Sequence, residues 1–174
     1  MTFEAQQRRL VLRAQSGDRD AFDALLRDVA SPLLRYVTRV TGDAALAEDV
    51  VQETLILIVR KISWLSEPAL FKAWAFRIAS REAFRALKKR GRQAIQPVEE
   101  TDLMVSPPPN DPWQRERLLA SLEKLSPASR AVITLHYLEE MPLSEVAAVL
   151  DLAPGTVKSR LAYGLAQLRK ENPA

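Results

Sequence analysis

At 174 residues with 47% hydrophobic content, the chain holds enough apolar material for one ordinary domain or two small ones, which argues against wholesale disorder. It contains no cysteine and one histidine, so disulfides, thiolate nucleophiles and the usual zinc constellations cannot be assembled. The net charge of +3 is unevenly placed: +5 over residues 1–90, −3 over 91–112 and +1 over 113–174, so a polyanionic partner would meet the first half.

The opening stretch MTFEAQQRRLVLRAQSGD lacks the uninterrupted apolar core of a signal peptide. No apolar run approaches the length of a membrane span, so the expectation is a soluble cytoplasmic protein without membrane insertion. Apolar periodicity predicts helices at 3–15, 19–29, 32–41, 44–62 and 68–90, with Pro32 and Pro68 as first-turn residues and Gly17 and Gly42 as stops. No segment alternates cleanly with period two, so no sheet is predicted.

On the predicted helix 44–62, Val51, Leu55, Ile58 and Ile62 supply a core edge. Asp49, Gln52, Glu53, Ile56 and Arg60 fall on the opposite side. An acidic and amide-bearing stripe with an isoleucine in its middle suits a protein groove better than DNA, although a merely solvated helix face would read the same way.

The next helix carries FKAWAFRIASREAFRALKKR, with seven Lys/Arg and one Glu. Arg77, Arg81 and Arg85 follow a four-residue step and Lys88 continues the same face, while Lys72 and Lys89 add charge at its two ends. Trp74 falls on this stripe by helical phase, and Phe84 lies near its edge. Arginines that track phosphates, with a ring free to stack on an unpaired base for about 1–3 kcal/mol, suit single-stranded nucleic acid. Phe76 and Ile78 read as core, and Trp74 reads equally well either way.

Residues 91–112 hold five of the eleven prolines and show no sustained helical period, which predicts a flexible acidic linker. After it the periodicity predicts helices at 113–124, 127–139, 143–150 and 155–170, with Ser126-Pro127 as cap and first turn. The fold class is therefore all-α, with helical domains at 1–90 and 113–174 joined by 91–112.

In LSEVAAVLDLAPGTVKSRL, residues 143–161, two helical patterns are separated by a sharp break. Val146, Ala147 and Leu150 form one apolar edge, and Val157, Leu161, Leu165 and Leu168 form another. Asp151 tolerates a left-handed turn and Pro154 presets a new helix, so the layout is a helix-turn-helix whose second helix reads DNA. With Val157 and Leu161 inward, Thr156, Ser159, Arg160 and Tyr163 are expected to face outward with Lys158 at the flank, offering donors for base edges and phosphates. A solvated helical hairpin is the plainer alternative.

Five stretches in this order, GDRDAFDALL, AEDVVQETL, FKAWAFRIASREAFRALKKR, LEKLSPASRAVITLHYLEEM and PGTVKSRLAYGLAQLRK, resemble regions two and four of the sigma-70 superfamily of bacterial sigma factors, in its extracytoplasmic-function (ECF) group. The resemblance covers nearly the whole chain, from Gly17 to Arg169. It implies that Asp49, Gln52, Glu53, Ile56 and Arg60 meet the clamp helices of the polymerase beta-prime subunit, and that the C-terminal domain meets the beta flap. It implies that the loop Ser63–Leu70, with Trp64, captures an unpaired base of the −10 element. The basic helix, with Lys72, Trp74, Arg77, Arg81, Arg85, Lys88 and Lys89, then guides the non-template strand. The helix from Gly155, with Thr156, Lys158, Ser159, Arg160 and Tyr163, is implied to read the −35 element. An anti-sigma protein is the implied regulator, and no cofactor, metal or catalytic residue is expected.

The chain departs from this pattern in places. Asp151 stands where relatives usually have glycine, and Ala153 and Pro142 stand where a capping serine is common, which weakens each helix start by around 1 kcal/mol. Ala162-Tyr163-Gly164 replaces a more basic run, and Arg77 and Ile78 replace the aromatic pair that melts DNA in housekeeping relatives. The rival reading is a conventional helix-turn-helix regulator whose residues 1–90 sense a ligand or dimerise, and it predicts duplex binding without polymerase. An enzyme is the third class, and His136 alone, on a predicted core helix, gives it little support.

Overall fold

The computed structural model describes residues 3–91 and 121–171, and every regular element among them is helical. The N-terminal module comprises α1 (Phe3–Gln15), α2 (Arg19–Thr41), α3 (Ala44–Lys61) and α4 (Phe71–Lys89). The C-terminal module comprises α5 (Pro127–Ile133), α6 (Leu143–Leu150) and α7 (Pro154–Glu171). The predicted linker beyond Gly91 and the predicted helix at 113–124 up to residue 120 lie outside the described residues. Residues 122–124 form a single 3-10 turn.

The starts of α2 and α3 are capped by aspartates. Asp18 accepts the Ala21 N–H, and Asp43 accepts the Leu46 N–H at 3.0 Å while its other oxygen meets Arg90 at 2.7 Å. That second contact ties the start of α3 to the end of α4. The Ala21 N–H and the Arg13 guanidinium hold the Asp18 carboxyl below the usual carboxylate range.

The separate helices predicted at 19–29 and 32–41 are one helix, with Pro32 inside it rather than at a first turn. Proline there forfeits one backbone hydrogen bond, at a cost of about 3 kcal/mol. An unbroken buried stripe of Leu25, Val29, Leu33, Tyr36, Val37 and Val40 runs through the site and outweighs that loss. At the centre of the module, Ser80 donates to the Phe76 carbonyl at 2.7 Å, which leaves Tyr36 to donate to Ser80 Oγ, also at 2.7 Å. Burial pushes the Tyr36 hydroxyl well above its ordinary value.

The helix predicted at 127–139 changes character halfway. After α5, capped by Ser126, the residues Thr134–Leu138 form a π-helical turn closed by the Glu139 N–H on the Thr134 carbonyl. His136 lies in that turn and donates from Nδ1 to the Met141 carbonyl at 2.8 Å.

The two modules pack together, α2 against α5 and α4 against α6. Arg130 on α5 is 8% exposed, and its Nη1 lies 3.2 Å from the point a Cβ on Gly42 would occupy. Gly42, left-handed at φ 67°, therefore both ends α2 and leaves room for the guanidinium.

Candidate nucleic-acid and protein interface

All five stripe residues of α3, Asp49, Gln52, Glu53, Ile56 and Arg60, are exposed. Val50, Val51, Thr54 and Ile58 hold the other face in the core. Ile56 is 40% exposed and Val59 47%, so the stripe has an apolar centre with acidic and amide groups beside it.

The chain leaves α3 through a 3-10 turn, Ile62–Trp64. Ile62 and Leu65 point inward at 4% and 8% exposed, whereas Trp64 is thrown outward at 76%. A second turn, Pro68–Leu70, leads into α4, so Pro68 starts that turn rather than the α-helix itself.

On α4, Phe71, Phe76 and Leu87 are buried, while Arg81, Arg85, Lys88 and Lys89 are exposed. Arg85 pairs with Glu82 at 3.0 Å. Trp74, which the sequence allows as either core or stacking surface, is partly buried against the core, its ring 6.2 Å from that of Phe71. Only part of its surface is available for stacking.

The first half of the cationic stripe meets the C-terminal module. Lys72 donates to the Glu139 carbonyl at 3.0 Å and lies 3.4 Å from its carboxylate. Asp151 sits between Arg77 and Arg81, at 3.9 and 3.7 Å.

The turn of the helix-turn-helix forms as its residues predict. Asp151 is left-handed at φ 56°, ψ 47° and closes α6 by donating its N–H to Ala147 O. Pro142 gives α6 no side-chain cap. Val157, Leu161, Leu165 and Leu168 are all buried.

The outward face of α7 is narrower than predicted. Lys158 and Tyr163 are exposed and Thr156 is half-buried, but Ser159 and Arg160 are only 8% and 5% exposed. Arg160 has buried Val157 and Gly164 three and four residues away on its side of the helix, so its stem is drawn inward. Ala162, itself 5% exposed, extends the buried arc past Ser159. Burial lowers the pKa of Arg160, and its Nε has no hydrogen-bond partner among the described residues.

Sequence reasoning missed two residues. Gln15, the last residue of α1, donates to the carbonyls of both Ile62 and Leu65 at 2.8 Å. Gly164 lies against α5, where a Cβ would meet Ile133 Cδ1 at 2.7 Å. Among the described residues no three His, Cys, Asp or Glu side chains are placed to hold a metal ion, and no helix is long and apolar enough to cross a membrane.

Residues 25–93 match the family model for sigma-70 region 2, and residues 115–168 match that for sigma-70 region 4. The chain is 37% identical over 153 residues to the ECF RNA polymerase sigma factor SigL of Mycobacterium tuberculosis, covering 84% of this chain and 85% of that one. It is 32% identical over 164 residues to the ECF RNA polymerase sigma factor SigE of Mycolicibacterium smegmatis, covering 88% of this chain but only 63% of that relative's length. A co-crystal structure of the sigma factor RpoE with the anti-sigma factor NepR from Bartonella quintana superposes with a TM-score of 0.68 at 25% identity, over 88% of this chain and 98% of that one. The chain belongs to the sigma-70 family of sigma factors, in its ECF group. Region 2 occupies the stretch that the rival regulator reading assigned to ligand sensing or dimerisation.

Proposed function

We propose that the chain is the promoter-recognition subunit of bacterial RNA polymerase at a set of ECF-type promoters, and that it acts in the cytoplasm by binding alone, without catalysis. The outer face of α3 binds the beta-prime clamp helices through Asp49, Gln52, Glu53, Ile56 and Arg60, and the C-terminal module binds the beta flap. The turn bearing Trp64 and the stripe of Lys72, Trp74, Arg77, Arg81, Arg85, Lys88 and Lys89 take the unpaired −10 strand. On α7, Lys158, Tyr163 and Thr156 meet the −35 duplex, and Ser159 and Arg160, which lie at the buried edge of the same helix, take part only if their side chains swing outward on binding.

The observation that carries this reading is the α3 stripe, exposed in full around Ile56 while the helix's other face is packed. An apolar centre flanked by carboxylates and an amide is built for a protein surface. Because Glu139 and Asp151 pair with Lys72, Arg77 and Arg81, DNA phosphates meet the whole stripe without competing carboxylates only after the modules part. Polymerase binding supplies the free energy for that exchange, and an anti-sigma protein opposes it by holding the modules together.

Gel filtration with purified core polymerase tests the proposal. Co-elution of the chain with polymerase supports it, and separate elution at micromolar concentrations contradicts it.

A further inference from the structure

Gln15 closes α1, far in sequence from any predicted site, yet its carboxamide spans the two ends of the Trp64 turn. Both of its N–H groups are used, one on the Ile62 carbonyl and one on the Leu65 carbonyl, each at 2.8 Å. The Ile62 carbonyl also accepts the Leu65 N–H at 3.1 Å, so three hydrogen bonds converge on one 3-10 turn.

The anchor is itself fixed. Arg13, half a turn earlier, grips the Asp18 carboxylate at 2.6 and 2.8 Å, and the Asp18 N–H returns to the Arg13 carbonyl at 3.1 Å. The end of α1 therefore moves only with α2. With Ile62 and Leu65 buried and their carbonyls clamped, the turn has few ways to hide Trp64, which stands 76% exposed. A large apolar ring held out in water carries a hydration cost that a flexible loop would relieve by folding the ring back. The clamp prevents that.

We propose that Gln15 is a positioning residue for promoter recognition: its carboxamide holds the 62–65 turn so that Trp64 is presented, already ordered, to an unpaired base of the −10 element. This rests on the reading that the turn takes the −10 strand. Bridging both carbonyls takes two N–H donors on one atom held at this reach: an apolar isostere lacks the donors, and a shorter amide keeps them but falls short of the two carbonyls. Ordering the turn in advance removes an entropy cost from DNA binding.

The test uses the full chain with core polymerase on a promoter obtained by mapping the RNA 5′ ends it directs, together with versions altered singly at each −10 position. Gln15→Leu removes both hydrogen bonds at similar volume, Gln15→Asn keeps the amide but shortens its reach, and Trp64→Ala removes the ring. Co-elution with core polymerase shows that each variant is folded. The expected result is that both Gln15 variants lose about tenfold in initiation on the intact promoter. They also lose discrimination at the same −10 position as Trp64→Ala, and adding Trp64→Ala to Gln15→Leu costs nothing more.

If Gln15→Leu lowers initiation equally on every promoter version while Trp64→Ala loses discrimination at one position, the turn reads DNA but Gln15 does not position it, and the proposal fails. If Trp64→Ala itself leaves discrimination intact at every position, the −10 reading of the turn fails, and the proposal with it.

Discussion

Cδ1 of Ile133 on α5 stands 2.7 Å from the point that a Cβ on Gly164 of α7 would occupy, with Leu125 Cδ1 and Ser129 Cβ at 3.6 Å. Gly164→Ala would ordinarily stabilise a helix by about 1 kcal/mol. Here the added methyl meets a core side chain, and the expected outcome is a net loss of about 1–2 kcal/mol in thermal unfolding. Ile133→Val, which removes Cδ1, should cost less in the Gly164→Ala background than alone, and additive losses would contradict the contact.

Asp43 caps α3 and pairs with Arg90 through different oxygens, so the two roles can be separated. Asp43→Asn keeps a capping oxygen and should lose about 0.5 kcal/mol, the worth of an exposed ion pair. Asp43→Ala loses both contacts, and about 1–2 kcal/mol is expected in urea unfolding. Equal losses in the two variants would assign the whole effect to Arg90.

Most of the architecture was legible because the core of each module is a regular stripe: Val157, Leu161, Leu165 and Leu168 on α7, and Leu25 through Val40 on α2, are buried as their spacing requires. Asp151 took the left-handed turn for the same local reason that singled it out. The misreadings arose where packing overrode local signals. Pro32 marks a helix start in sequence, but the apolar stripe continues through it. Arg160 carries a charge and reads as solvent-facing in sequence, yet its helical neighbours Val157 and Gly164 are buried. Gln15 left no trace in the sequence, because its two acceptors lie 47 and 50 residues away and are backbone carbonyls, identical in every residue.

The closed arrangement of the modules rests partly on exposed ion pairs, and these are screened by salt. The chain has no cysteine, so Glu48→Cys on α3 and Ala148→Cys on α6, both at exposed positions, can carry a pair of spin labels without background. At low salt the distance between the labels should be narrowly distributed. At about 1 M salt, where the screening length falls to about 3 Å, the distribution should widen toward longer distances. Asp151→Gly keeps the left-handed turn and removes the carboxylate, and it should produce the same change at low salt. A distribution indifferent to both would show that these pairs do not hold the modules together.

The α3 surface makes a separate prediction. Asp49 and Glu53 are exposed and make no contribution to the packed face, so replacing both with alanine should leave thermal unfolding within about 0.5 kcal/mol of the parent. Affinity for core polymerase, read by fluorescence titration, should fall by about 1–3 kcal/mol, mostly through faster dissociation. Unchanged affinity would remove α3 from the polymerase interface.

The central claim is tested most directly by transcription in vitro. The purified chain is added to bacterial core polymerase on fragmented genomic DNA, and the RNA 5′ ends are sequenced. The account predicts discrete new starts that share two spaced upstream elements and disappear when the chain is left out. No new starts, combined with duplex binding by the chain without polymerase, would contradict it.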